Sequence, residues 1–280
     1  MQWRQKLAIS FIRTKFWLLS AVSKKIAARK AFLFFCSPKQ RNKKIPGPIF
    51  SQADQLQFQF NNDTVHGYRW NSGAQKKLLI AHGFESAIVN FEAYVEPLIA
   101  KGYEVLAFDA PAHGRSTGTT LNAREYKELI QEIYRRYGPL DAFITHSFGG
   151  LCLSLALEEL GTRDTQKIVF IAPAVETTTA IDHFFSLLKL NAGVRQEFDQ
   201  LITEVGGHHP GWYSLARTAP GIKAQVLFLQ DKDDHMTPYA DVEPIILENY
   251  PNFRFVISNG LGHRRIYRDH HSRQTIINFL

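Results

Sequence analysis

Six apolar runs, at 78–81, 105–108, 142–145, 168–171, 226–229 and 253–257, the last interrupted by Arg254, constrain the fold of this 280-residue chain more than any other feature. A strand with one wet face alternates apolar and polar residues. A run that is apolar at every position belongs to a strand covered on both faces. Helix patterns lie between the runs, near 91–101, 123–136, 148–160 and 240–249, and a last helix ends the chain. Such alternation predicts an α/β fold with a mostly parallel, doubly covered sheet. Two earlier β-rich segments, 56–60 and 64–70, read as a half-exposed hairpin turning at Asn61-Asn62-Asp63, which brings the expected sheet to eight strands.

The alternation is interrupted once. Between Pro173 and the run at 226 no buried strand occurs, while Ile181, Phe184, Phe185 and Leu188 recur at helical spacing. A helical cap insertion at about 174–218 is expected there. The rings Phe184, Phe185, Trp212 and Tyr213, with Leu188, would either line a pocket or seal the cap onto the core. Residues 1–37 read as one or two helices, ended by Ser37-Pro38, and 39–48 as a polar, proline-rich linker. The expected organisation is therefore a basic helical extension and linker, 1–46, before a main domain, 47–280.

Charge is distributed unevenly. Twelve bases and no acid precede Asp54, so the remaining 21 bases stand against all 26 acids and residues 54–280 carry a net −5. A basic nucleic-acid groove in the main domain is thereby disfavoured. Two uses are open for the basic segment: weak contact with an anionic membrane surface, or a helical arm packed on the domain or joining a homodimer. No secretory signal or membrane-spanning run is evident, and a cytoplasmic protein is expected. Cys36 and Cys152 lie far apart and imply no disulfide framework. The adjacent His208-His209 lack metal-ligand spacing on a helix, so no metal or cofactor is expected.

In open α/β sheets, chemistry gathers beyond the C-terminal ends of the strands. The run at 142–145 is followed by His146-Ser147-Phe148-Gly149-Gly150 and an apolar helix. A serine on such a turn is either an exposed nucleophile or the N-cap of a buried helix. Gly149 permits the close strand–helix approach that the turn requires, whereas Thr145 stands where a glycine is usual.

With these residues the chain resembles the α/β-hydrolase family, from about Leu56 to the C-terminus. Ala81-His82-Gly83-Phe84 is similar to the family's oxyanion loop. The resemblance implies that the backbone N–H groups of Phe84 and Phe148 hold a substrate oxyanion, with His82 a structural hydrogen-bonder. Asp109-Ala110-Pro111-Ala112-His113-Gly114-Arg115-Ser116 is similar to a loop of architectural role. In the segment from Gln230 to Pro238, the family's spacing to the proline selects Asp234 as the triad acid, with Asp233 as runner-up and Glu176 as a third candidate. Three carboxylates, Asp231, Asp233 and Asp234, crowd this loop, where like charges would raise one another's pKa, but an acid salt-bridged to imidazolium should remain ionised. Thr237-Pro238 reads as the N-cap and first residue of the next helix. Gly262-His263, after the last run, looks like the setting of the catalytic histidine.

The order Ser147, Asp234, His263 is that expected for this fold. It implies a serine hydrolase that cleaves a carboxylic ester or related acyl bond of a small molecule through an acyl-enzyme. The alternatives are a non-catalytic binding or scaffold protein on the same fold, and an acyltransferase or small-peptide peptidase.

Overall fold

The computed structural model describes residues 3–42 and 44–280; Met1, Gln2 and Lys43 of the expected extension, and the side chains of Arg4, Gln5 and Lys6, lie outside the described residues. Its strands are β1 (Asp54–Phe60), β2 (Asp63–Trp70), β3 (Lys76–Ala81), β4 (Tyr103–Phe108), β5 (Ala142–His146), β6 (Lys167–Ile171), β7 (Gln225–Asp231) and β8 (Phe253–Ser258). Its helices are α1 (Trp3–Val22), α2 (Lys24–Cys36), α3 (Glu92–Ala100), α4 (Ala123–Tyr137), α5 (Phe148–Leu160), α6 (Thr177–Leu188), α7 (Ala192–Gly206), α8 (Leu215–Thr218), α9 (Tyr239–Leu247), α10 (Gly262–Arg265) and α11 (His270–Phe279). Contacts group the chain into two compact units, residues 38–175 with 214–280, and residues 1–37 with 176–213.

The first unit is built on one eight-stranded sheet of order β1-β2-β4-β3-β5-β6-β7-β8. β1–β2 and β2–β4 pair antiparallel; all other pairs are parallel. The runs that are apolar at every position are fully buried strands, because successive side chains enter opposite covered faces. Leu78, Ile80, Val105, Ile144, Val169 and Leu229 share one core with Tyr94, Val95 and Leu98 of α3 and Ile276 and Ile277 of α11. Their neighbours Leu79, Leu106, Phe143, Phe170 and Phe228, on the other face, are buried as completely. Each such aliphatic side chain contributes about 1.5–3 kcal/mol by leaving water. The amphipathic α4 buries Tyr126, Leu129, Ile130 and Ile133, and Asn122 and Glu125 form a capping box at its start.

The direction of chain progress along the sheet reverses at β3, which has β4 on one side and β5 on the other. The crevice at such a reversal, beyond the strand C-termini, is where a parallel sheet presents loops to a ligand. In register, Ala81 stands beside Thr145, Thr145 beside Phe170, and Asp231 beside Ser258. The loops that follow these strands therefore leave from one end of the sheet.

The second unit is helical. α2 packs on α7, and α1 packs on α2 and α6. Ser23 separates α1 from α2 by accepting a hydrogen bond from the N–H of Ile26 as an N-cap. Phe184 and Phe185, expected to line a pocket or seal the cap, lie in an aromatic cluster of this unit. Phe184 contacts Phe34 and Phe35 with ring centres 6.1 and 5.1 Å apart, and Phe185 contacts Phe198 at 5.1 Å. Among the described residues, no helix is long and apolar enough to cross a membrane.

Candidate active site

Ser147 follows β5 directly and takes φ 53° and ψ −123°, a left-handed conformation that a non-glycine residue adopts only when its surroundings enforce it. The enforcement is visible in the neighbouring glycines. A Cβ on Gly149 would lie 2.6 Å from the carbonyl oxygens of Ala81 and His82, so only glycine lets α5 start this close to β3. A Cβ on Gly83 would lie 2.9 Å from Ser147 Cβ, which shows how tightly the loop after β3 approaches the serine. The departure at Thr145 also has a cause. Its buried hydroxyl donates to the Val169 carbonyl at 3.1 Å, and Gly150, whose Cβ would meet that oxygen at 3.3 Å, leaves it room.

Although Ser147 occupies the N-cap position of α5, its side chain makes no capping hydrogen bond. The N-cap alternative is thus overturned. Its Oγ lies instead 3.0 Å from Nε2 of His263, and Nδ1 of His263 lies 2.8 Å from Oδ2 of Asp234. A carboxylate can only accept, so Nδ1 carries the proton and Nε2 is left to receive the serine's.

The structure separates the three carboxylates of the loop after β7. Asp234 Oδ1 accepts the N–H groups of Met236 and Thr237 at 2.8 and 3.0 Å, and its Oδ2 accepts the Thr237 hydroxyl at 2.8 Å as well as His263. Burial pushes this carboxyl upward, but the bonds and charge of His263 and the donors of Thr237 outweigh it and hold its pKa below the ordinary 3.8. Asp233 accepts the Gly260 N–H at 2.7 Å and is not the partner of His263. Asp231, fully buried, accepts the Ser258 hydroxyl at 2.6 Å and the N–H groups of Leu261 and Asp233. Burial raises its pKa, and these donors more than reverse that. The expected raising of pKa values in this loop is therefore corrected for Asp231, where directed donors dominate over like-charge repulsion, while the depressed pKa of Asp234 agrees with an acid kept ionised by its imidazole partner. Glu176 stands at the start of α6. Thr237 does not cap the next helix; Pro238 holds that position, and the threonine hydroxyl anchors Asp234.

The loop after β3 is braced by two neutral histidines. His82 Nε2 accepts the Ala110 N–H at 3.0 Å, and His113 Nε2 accepts the Glu85 N–H at 3.0 Å. Burial pushes both pKa values down to about 4. Asp109 ties the same loops together by accepting the N–H groups of Ile88 and Arg115, each at 3.0 Å. The rings of Phe84 and Phe148 meet edge to face at 5.9 Å, and no acceptor among the described residues takes either backbone N–H. His208 stacks on Trp212 at 3.9 Å, and His209 accepts the Gly211 N–H.

One residue escaped the sequence reading. His146 is buried, and its Nε2–H donates to the carbonyl of His263 at 3.0 Å. Burial and then the neighbouring His263 push its pKa down to about 3, so it remains a neutral donor. It fixes the backbone of the histidine loop against the residue that precedes the serine. Adjacency to Ser147 was the only available signal.

A family model of the alpha/beta hydrolases matches residues 78–267, more than half of the chain. The chain belongs to the alpha/beta hydrolase family. An esterase of Pyrococcus furiosus has a similar structure, with a TM-score of 0.65 at 20% identity over 88% of this chain and 97% of the esterase. Mouse alpha/beta hydrolase domain-containing protein 10 aligns with a TM-score of 0.60 at 14% identity, over 81% of this chain and 96% of the mouse chain. A CIB-like hydrolase of Thermoplasma acidophilum gives 0.58 at 16% identity, over 81% of this chain and 97% of its own. No curated protein sequence matches the chain.

Proposed function

We propose that this alpha/beta hydrolase is a serine hydrolase that cleaves a carboxylic ester or related acyl bond of a small molecule, with Ser147, His263 and Asp234 as its catalytic triad. One observation carries the reading: a strained serine whose Oγ, free of any capping bond, lies 3.0 Å from the histidine nitrogen left unprotonated by its carboxylate partner.

In this mechanism His263 Nε2 takes the proton as Ser147 Oγ bonds to the substrate carbonyl carbon. The carbonyl π electrons move onto oxygen, and the N–H groups of Phe84 and Phe148 hold the resulting oxyanion. On collapse, the bond to the leaving alcohol breaks, and His263 returns its proton to that oxygen. A water, deprotonated by the same nitrogen, adds to the acyl carbon; collapse breaks the bond to Ser147 Oγ, which recovers the proton from His263, and the acid is released. Asp234 holds the imidazole in the required tautomer and stabilises its cation, which its depressed pKa equips it to do.

Stopped-flow hydrolysis of p-nitrophenyl esters of rising chain length tests the proposal. A burst of nitrophenolate stoichiometric with enzyme, absent in Ser147→Ala, is expected for at least one ester. Absence of turnover on every ester and thioester offered would instead favour a binding protein on this fold.

A further inference from the structure

Helix α1 carries two apolar faces, and only one of them is covered. Phe16 is buried and contacts Phe34 of α2 with ring centres 6.2 Å apart, while Ile9, Ile12 and Leu19, on the same side, are half-buried. On the opposite side Trp3, Leu7, Phe11, Leu18 and Val22 follow one another at intervals of four and seven residues, which places them in one stripe along the helix. With Trp17 beside them, these side chains are each 54–83% exposed. Single exposed hydrophobics are ordinary. Six large ones side by side on one helix form a contiguous apolar patch of the kind that marks an interaction surface.

Charge identifies what covers it. No acid precedes Asp54, and Lys15, Lys25, Arg29 and Lys30 are exposed on α1 and α2. The unit formed by residues 1–37 and 176–213 holds ten bases against five acids, and two of those acids, Asp182 and Asp199, are already paired with Arg195. A second copy of the chain would set this basic segment against itself. An anionic lipid surface meets both demands at once, receiving the apolar stripe among its acyl chains and the bases at its headgroups. Lys15, at the margin of the stripe, can extend its ammonium to the headgroup level along its own methylenes. We propose that α1 docks the protein in the plane of an anionic membrane surface. The proposal is independent of the catalytic reading, since it uses none of the triad or oxyanion residues.

Sedimentation of the full chain with vesicles of phosphatidylcholine, with or without about one-third phosphatidylglycerol, tests it. Partitioning onto the anionic vesicles is expected to exceed that onto the neutral ones by at least tenfold and to weaken as salt is raised, each base contributing roughly fivefold. The triple variant Leu7→Glu, Phe11→Glu, Leu18→Glu changes only exposed positions; it should keep the wild-type melting profile and lose at least tenfold in partitioning. The quadruple variant Lys15→Gln, Lys25→Gln, Arg29→Gln, Lys30→Gln should lose most of the preference for anionic over neutral vesicles. Wild type that stays in the supernatant would overturn the proposal, as would a triple variant that partitions as wild type does. So would a wild-type dimer in light scattering that the triple variant converts to monomer, since the stripe would then seat a second copy.

Discussion

Asp234 and Asp233 are adjacent and chemically identical, yet only one carboxylate meets His263. What separates them is the turn, whose N–H groups at Met236 and Thr237 converge on Asp234 Oδ1 and aim its other oxygen at the imidazole. Asp234→Asn should leave the fold intact and lower kcat by about 10⁴, because an amide can present its NH₂ to Nδ1 and so favour the wrong tautomer. Asp233→Asn, which alters only the acceptor for Gly260, should cost less than tenfold. Steady-state kinetics of the two variants side by side check this. In the sequence the three aspartates were equivalent, and only the resemblance to a family chose among them. His146 was illegible for a related reason: its partner is the backbone carbonyl of His263, 117 positions away, and no residue pattern records such a pairing.

Strands were the most legible elements. Each apolar run became a strand with ends shifted by two residues or fewer, and the first five are buried, since burial on both faces leaves no position for a polar side chain. β8, which carries Arg254, lies at the sheet edge and is only half-buried. The turn after β5 was less so, because its letters report bulk but not who makes room for it. Thr145 is accommodated by Gly150 and bonded to Val169. Thr145→Gly, which installs the family's usual residue, should therefore destabilise the protein by about 1–3 kcal/mol, leaving Val169 without its donor and the backbone more flexible. Gly149→Ala should cost about 3 kcal/mol or more, because the clash is with backbone oxygens that cannot rotate away. Urea unfolding of both variants measures this. A Thr145→Gly protein more stable than wild type would refute this account of the turn.

At the level of the whole molecule, the chain returns to one helical unit twice, with α1 and α2 from its start and α6 and α7 from the interval between β6 and β7. Periodicity announced apolar faces in both segments but could not announce that they share a unit, since pattern carries no information on partners so distant in sequence. A global property follows from three buried histidines. His82, His113 and His146 have folded-state pKa values of about 4, 4 and 3, against 6.5 for an exposed imidazole. Between those limits the unfolded chain binds protons that the folded chain refuses, so stability falls as pH falls from 6.5 towards 4. Three such groups give a slope on the order of 4 kcal/mol per pH unit. Asp109, whose pKa burial raises, returns part of this at the acid end. Asp231 and Asp234, with depressed pKa values, add their own loss only below about their ordinary 3.8. Urea midpoints taken from pH 7 to 4.5 should fall steeply, and a flat profile would show that these imidazoles are not held neutral by burial.

The central claim is that Ser147 is a nucleophile activated by His263. Labelling with a fluorophosphonate probe, followed by mass spectrometry of the modified peptide, tests it most directly. Wild type should carry one adduct on Ser147, while Ser147→Ala and His263→Ala, folded by circular dichroism, should remain unlabelled. Labelling that persists in Ser147→Ala, or a folded wild type that takes no label, would contradict the account.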